Sequence, residues 1–206
     1  IVCLTSYSRS IAKILDKYCD IILVGDSMAN VLYGLKDTHS IKLINMIQHT
    51  LSVEKSIKKS LLVVDMPKGT YKNFKIAKKN AKTIMKHTKC EAIKIESNNN
   101  NFNIIKGLVK ANIPVMGHIG YTPQFKKKFK IEGVGISSAK KLIKEALLIE
   151  KAGAFSIVLE CVDALTAKKI TKKLSIPTIG SGSSKFCDGQ ILVTDDMLGL
   201  SGFYPK

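Results

Sequence analysis

Asp26, Asp65, Glu96 and Glu160 each close a short, largely β-branched apolar run: IILVGD, LLVVD, EAIKIE and FSIVLE. Runs of this kind read as strands buried on both faces. Carboxylates emerging at the carboxyl ends of several such strands are how an α/β barrel assembles a cation-centred active site. Asp26, Asp65 and Glu96 end the second, third and fourth strands, which are neighbours if the barrel closes in sequence order. Three hard oxygen ligands then converge on one point, leaving room for water and substrate. Such a donor set suits Mg²⁺, whereas Zn²⁺ would favour the His or Cys ligands that do not cluster here. A lone strand-end acid is more often a helix cap or turn former. Three at neighbouring strand ends favour a metal site.

Lys94 stands two residues before Glu96 and so points to the same side of its strand, into the barrel. An inward ammonium needs an anion, which is either a bound carboxylate or, in a purely structural role, Asp65 or Glu96. Ser27, beside Asp26, offers a hydroxyl at the same mouth, although GDS is also an ordinary turn tripeptide. His118 ends the fifth strand; facing the pocket it is a substrate-binding candidate, and facing away it is a structural histidine. Glu160 lies across the mouth from the proposed metal and is the candidate proton acceptor, because burial there raises a carboxyl towards the pKa that general base work requires. The competing reading of Glu160 is a partner for a lysine. The run PTIGSGSS after the seventh strand puts glycines and serines where barrels often contact anions through backbone amides.

Eight candidate strands must carry these residues: near Ile1–Thr5, Ile21–Gly25, Leu61–Asp65, Ala92–Glu96, Ile113–His118, Phe155–Glu160, Ile176–Gly180 and Ile191–Thr194. Amphipathic stretches alternate with them, at Ser8–Tyr18, Leu43–Lys59, Phe74–His87, Phe102–Ala111, Ser138–Ala152 and Ala164–Leu174. The alternation predicts a parallel sheet, and eight repeats predict a closed (β/α)₈ TIM barrel spanning 1–206 as a single catalytic domain. Neither GxGxxG nor GxxxxGK[ST] follows the first strand, which removes the usual dinucleotide and P-loop readings. The asparagine-rich stretch 98–103 reads as a loop leading into a helix. The segment Gln124–Gly135, containing KKKFK, is the longest irregular connection after a strand end and is expected to cover the site or to be a solvated basic loop. The chain stops soon after the eighth strand, so the last barrel helix is expected to be absent, truncated or only begun.

Composition limits the partners. The net charge of +17 comes almost wholly from lysine, with Arg9 the sole arginine, and there is no Trp. Specific nucleic-acid readers favour arginine and clustered basic charge with aromatics, so no nucleic-acid partner is expected; a basic polyanion-binding module on a barrel scaffold is the rival reading from another class. Cys3, Cys19, Cys90, Cys161 and Cys187 are an odd set without CxxC spacing, implying reduced thiols and a cytoplasmic setting rather than a disulfide framework or zinc knuckle. No apolar stretch reaches the roughly 20 residues needed to span a bilayer, and the start at Ile1 carries no signal-peptide pattern.

Together, LTSYS, ILVGDSM, His49-Thr50, VVDMPKGTY, EAIKIE, IPVMGHIGYTPQ, AGAFSIVLECV and IPTIGSGS with CDGQILV resemble the ketopantoate hydroxymethyltransferase family, in order from Val2 to about Leu200. The resemblance implies a Mg²⁺-dependent TIM barrel of the phosphoenolpyruvate mutase and isocitrate lyase class. It implies transfer of a hydroxymethyl group from 5,10-methylenetetrahydrofolate to 3-methyl-2-oxobutanoate, giving 2-dehydropantoate for pantothenate and coenzyme A synthesis. It also implies a homo-oligomer, decameric in many members. Carried over by motif, Asp26 and Asp65 hold the metal and Glu96 joins them directly or through water. Ser27 and Lys94 bind the oxo acid, and Glu160 is the proton acceptor. Another Mg²⁺-dependent lyase or aldolase of 2-oxo acids on the same barrel is the nearest enzyme rival. The chain departs from the family pattern at Ser8, where an acid is usual, at Lys68 in place of an aromatic, in GSGSS, and at Asp195-Asp196 in place of His-Asp. The last two bear on the folate side.

Overall fold

Strands and helices alternate along the chain as the apolar periods require. The computed structural model describes residues 1–97, 101–126 and 128–202. In order these are β1 (Val2–Thr5), α1 (Arg9–Leu15), β2 (Ile21–Val24), α2 (Met28–Val31), a 3-10 turn (Thr38–Ser40), α3 (Leu43–Val53), β3 (Leu61–Asp65), α4 (Phe74–His87) and β4 (Ala92–Glu96). There follow α5 (Phe102–Lys110), β5 (Val115–Gly120), α6 (Ile136–Lys151), β6 (Ser156–Glu160), α7 (Ala164–Lys173), β7 (Thr178–Ser181), β8 (Gly189–Leu192) and α8 (Thr194–Met197). All eight strands pair in parallel and in sequence order, β8 closing on β1, so the expected barrel is the observed one.

Two apolar layers follow from the period-two alternation. Cys3, Ile21, Leu23, Val63, Ala92, Met116, Val158, Ile179 and Ile191 point inward and fill the barrel as one cluster. The intervening residues, such as Ile22, Val64, Ile93, Ile95, Ile157 and Leu159, point outward and meet the helices. Gly117 makes one of those contacts possible. A Cβ there would stand 2.6 Å from Ile149 Cγ2, so only glycine lets α6 lie this close to β5.

Several boundaries differ from the sequence expectation, for identifiable reasons. The helix expected over Leu43–Lys59 ends at Val53, because the backbone N–H groups of Lys58, Lys59 and Ser60 turn to the Asp16 carboxylate instead. Strand β5 begins two residues later than expected and β8 two residues earlier. Gly189 and Gln190 pair with Ile179 and Gly180 although neither is a typical strand former. Of the asparagine run, 98–100 lie outside the described residues, as does Lys127 of KKKFK; α5 begins at Phe102. Among the described residues the last helix is the four-residue α8, and Leu192 on the outer face of β8 is 48% exposed. All five cysteines are free thiols. Among the described residues, no helix is long and apolar enough to cross a membrane.

Candidate active site at the carboxyl mouth

Asp65, Lys94, Glu96, His118 and Glu160 share strand parity with Val63, Ala92, Met116 and Val158, so all five stand above the inner apolar cluster. Register makes Asp65 the neighbour of Lys94 and Glu96 the neighbour of His118. Lys94 Nζ donates to Asp65 Oδ1 at 2.6 Å, and both side chains are buried. The ion pair considered for this lysine is therefore present. An ammonium has three donors, so one bond to Asp65 does not by itself commit Lys94 to a structural role. The other Asp65 oxygen accepts the Asp26 backbone N–H at 3.0 Å, which ties the end of β2 to that of β3.

Gln124 completes the cluster, and sequence reasoning missed it. Its Nε2 donates to Asp26 Oδ2 at 2.8 Å and to the Met66 carbonyl at 3.0 Å, while its backbone N–H donates to Glu96 Oε2 at 3.0 Å. Tyr71 Oη donates to Gln124 Oε1 at 2.5 Å. The only sequence signal was membership of the quoted GHIGYTPQ run, since a single polar loop residue carries no period. The connection that starts at Gln124 thus enters the site with its first residue. Farther on it is fastened beside β6 by Glu132, whose N–H donates to the Cys161 carbonyl and whose carbonyl accepts from the Asp163 N–H, both at 2.8 Å.

Charge dominates this end of the barrel. Asp26, Asp65 and Glu96 are buried around one ammonium. Burial, then the Asp65 charge, pushes the Asp26 carboxyl up to about 7. Burial, then the Asp26 charge, raises Glu96 well above the carboxylate range. Burial alone would depress Lys94, but Asp65, Asp26 and Glu96 outweigh it and hold the amine protonated. Among the described residues, no three His, Cys, Asp or Glu side chains are spaced as a ready-made metal cluster. Lys94 engages Asp65, and Gln124 bonds both Asp26 and Glu96. The donor chemistry still fits a hard divalent cation: oxygen ligands with an unbalanced negative charge in a low-dielectric site.

His118 does face the pocket. Its ring is 1% exposed, with Nε2 3.2 Å from Glu160 Oε2 and Nδ1 3.8 Å from Glu96 Oε1, but neither nitrogen is aligned to form a hydrogen bond. Glu160 is the most accessible of the four acids, its side chain 25% exposed. Among the described residues it pairs with no lysine; its neighbour is this imidazole. Gly120 permits the approach, since a Cβ at its φ of +96° would fall 2.1 Å from the Glu160 carbonyl oxygen.

Ser27 precedes α2 and its hydroxyl meets Tyr7 Oη at 2.8 Å. In PTIGSGSS, Ser183 Oγ donates to the Val162 carbonyl at 3.0 Å, so at least this serine is spent on its own loop. Among the departures, Ser8 still caps α1, its Oγ accepting from the Ile11 N–H at 3.5 Å. Lys68 Nζ lies 3.1 Å from His39 Nδ1, and Asp195-Asp196 open the short α8.

The family model for ketopantoate hydroxymethyltransferase matches residues 1–206. The chain belongs to this family. It is 52% identical over 201 residues to the 3-methyl-2-oxobutanoate hydroxymethyltransferase of Pelagibacter ubique (strain HTCC1062), covering 98% of this chain and 78% of that protein. Over 209 residues it is 46% identical to the enzyme of the same name from Anaplasma marginale (strain St. Maries), covering all of this chain and 76% of the relative. Among solved structures, 2,3-dimethylmalate lyase, a PEP mutase/isocitrate lyase superfamily member, shares the fold with a TM-score of 0.69 at 14% identity, over 97% of this chain and 77% of that one. As a ketopantoate hydroxymethyltransferase family member the chain is a transferase, on the closed (β/α)₈ barrel that its strand pattern predicted.

Proposed function

We propose that the chain transfers a one-carbon unit from 5,10-methylenetetrahydrofolate to 3-methyl-2-oxobutanoate, making 2-dehydropantoate for pantothenate synthesis. The observation that carries this reading is the buried excess of negative charge at the ends of β2, β3 and β4, facing an accessible carboxylate across the mouth. Asp26 and Asp65 would hold Mg²⁺, with Glu96 joining directly or through water. The cation would supply Lewis-acid chemistry there, drawing electron density from a bound 2-oxo acid.

The chain's own residues do the rest. Lys94 and Ser27 bind and orient the oxo acid, the first by charge and the second by its hydroxyl. Water adds to the methylene carbon of the folate as its two C–N bonds break, so tetrahydrofolate departs with both nitrogens protonated and the one-carbon unit is left at the formaldehyde level. Glu160 removes the proton from C3, and the electron pair left on that carbon attacks the formaldehyde carbon, whose C=O π pair moves to oxygen and takes up a proton to give the hydroxymethyl group. His118 Nε2 lies 3.2 Å from Glu160 Oε2, next to the proton that this carboxylate accepts. No lysine Schiff base enters the sequence.

Turnover assays test the reading. With Mg²⁺ and methylenetetrahydrofolate present, 3-methyl-2-oxobutanoate should be consumed in preference to other 2-oxo acids and aldehydes, and chelation should stop the reaction. Equal turnover of unrelated oxo acids would instead favour a lyase or aldolase, and full activity in chelator would remove the metal from the account.

A further inference from the structure

We propose that Tyr7 is a positioning residue for the oxo acid, acting through Ser27: the Tyr7 phenol donates to Ser27 Oγ and leaves the serine proton to the substrate carboxylate. This rests on the function proposed above.

Ser27 holds the N-cap position of α2, where a serine oxygen ordinarily accepts a backbone N–H of the first turn. Here it makes no such bond, and its Oγ meets Tyr7 Oη at 2.8 Å instead. Gly25 makes room for that rotamer. A Cβ at Gly25 would stand 3.0 Å from Ser27 Oγ and 3.5 Å from Asp65 Oδ2, which also places the serine hydroxyl at the acid cluster. Tyr7 is itself held from two sides. Its carbonyl accepts from His49 Nδ1 at 2.7 Å, which fixes the proton of a neutral His49 on Nδ1 and leaves Nε2 to accept from Tyr33 Oη at 2.8 Å.

The direction of the Tyr7–Ser27 bond follows from the acidity of the two hydroxyls. A phenol is a far stronger acid than an aliphatic alcohol and so the better donor of the pair, which turns the Tyr7 proton to Ser27 Oγ. The serine, having accepted, has one proton to give and an anionic substrate beside it. Tyr33 and His49 thus brace the residue whose phenol orients the Ser27 hydroxyl.

Steady-state kinetics of the full chain with Mg²⁺, varying each substrate, separate the possibilities. Tyr7→Phe keeps the ring and removes only the hydroxyl. It should raise KM for 3-methyl-2-oxobutanoate about five- to tenfold, leave KM for methylenetetrahydrofolate unchanged, and hold kcat within about threefold, the scale of one neutral hydrogen bond. In a Ser27→Ala background the same change should add nothing. A parental oxo-acid KM in Tyr7→Phe, or an undiminished increment without Ser27, overturns the inference. Should Tyr7→Phe not fold, Gly25→Ala reaches the same hydroxyl from beneath and should raise the oxo-acid KM comparably; an unaltered KM there overturns it equally. Absence of turnover by the parent chain would overturn the proposed function and this inference with it, whereas an active parent with indifferent variants removes the inference alone.

Discussion

The two ends of the barrel use acidic residues in opposite ways. At the amino ends of the strands each acid accepts backbone N–H groups that lead into a strand. Asp16 takes those of Lys58, Lys59 and Ser60 at about β3, Asp20 that of Val2, and Glu91 that of Leu62. Glu150 takes Ser175 and Ile176, and Asp188 takes both the N–H and the hydroxyl of Thr178. These carboxylates satisfy donors that the closed ladder leaves over. At the carboxyl ends, Asp65 and Glu96 accept one backbone N–H each, from Asp26 and Gln124, and with Asp26 they stand around the Lys94 ammonium, which one bond ties to Asp65. The same side chain is thus a peg at one end and an unsettled charge at the other. Location of the imbalance, rather than location of acids, marks the site.

The sharpest way to break that contrast is to neutralise the mouth. Glu160→Gln should suppress exchange of the C3 proton of 3-methyl-2-oxobutanoate with solvent deuterium by about 10²- to 10⁴-fold, the usual contribution of a general base, while oxo-acid binding with Mg²⁺ persists. Exchange at the parental rate would take Glu160 out of that role. Asp26→Asn should lower turnover severely, yet in chelator at pH 8 it should stabilise the chain by about 2 kcal/mol, because it removes one of the buried like charges. The sign follows from the shift. A carboxyl raised to about 7 in the folded chain, against 3.8 as its ordinary value, weakens the fold progressively as pH rises between those values. The benefit of Asn is therefore small in acid and full above about pH 7. A melting midpoint that falls at pH 8 would make Asp26 a peg like those at the far end.

Much of this arrangement was legible in the residues. Buried strands advertise themselves by β-branched runs, so β2, β3, β4 and β6 were found within a residue, and alternation alone turned Lys94 and Glu96 inward. The acids stood out because a charge ending an apolar run is costly without a reason. Gln124 and Tyr7 were not singled out, since a polar side chain on a loop has no period and its partner lies 98 and 20 residues away in sequence. The end of α3 was misjudged for a related cause. Helical periodicity continues to Lys59, but three bonds to a distant carboxylate outcompete the local ladder. Local pattern reports what a segment prefers, and long-range polar contacts decide between preferences of similar size.

Asp16 supplies the complementary test at the amino end, with a smaller effect. Burial raises its carboxyl, but the N–H groups of Ser60, Lys59 and Lys58 outweigh burial and hold it below the ordinary carboxylate range. A group depressed in the folded chain adds stability that is present above its unfolded pKa and is lost as pH falls through the folded value. The parent should therefore lose part of its stability below about pH 4, and Asp16→Asn should lose less over the same interval. At pH 8 the variant should be less stable by about 1–2 kcal/mol, a fall of roughly 3–6 °C in Tm, because an amide presents one acceptor where the carboxylate gave two and sets an N–H against that of Lys58. Turnover at 25 °C should be unchanged. Opposite signs for Asp26→Asn and Asp16→Asn in one pair of melting curves at pH 8 follow only if the amino-end carboxylates are balanced by backbone and the mouth carboxylates are not. Destabilisation by both would mean that Gln124 and Lys94 already neutralise the mouth, leaving no unbalanced charge for a divalent cation to offset.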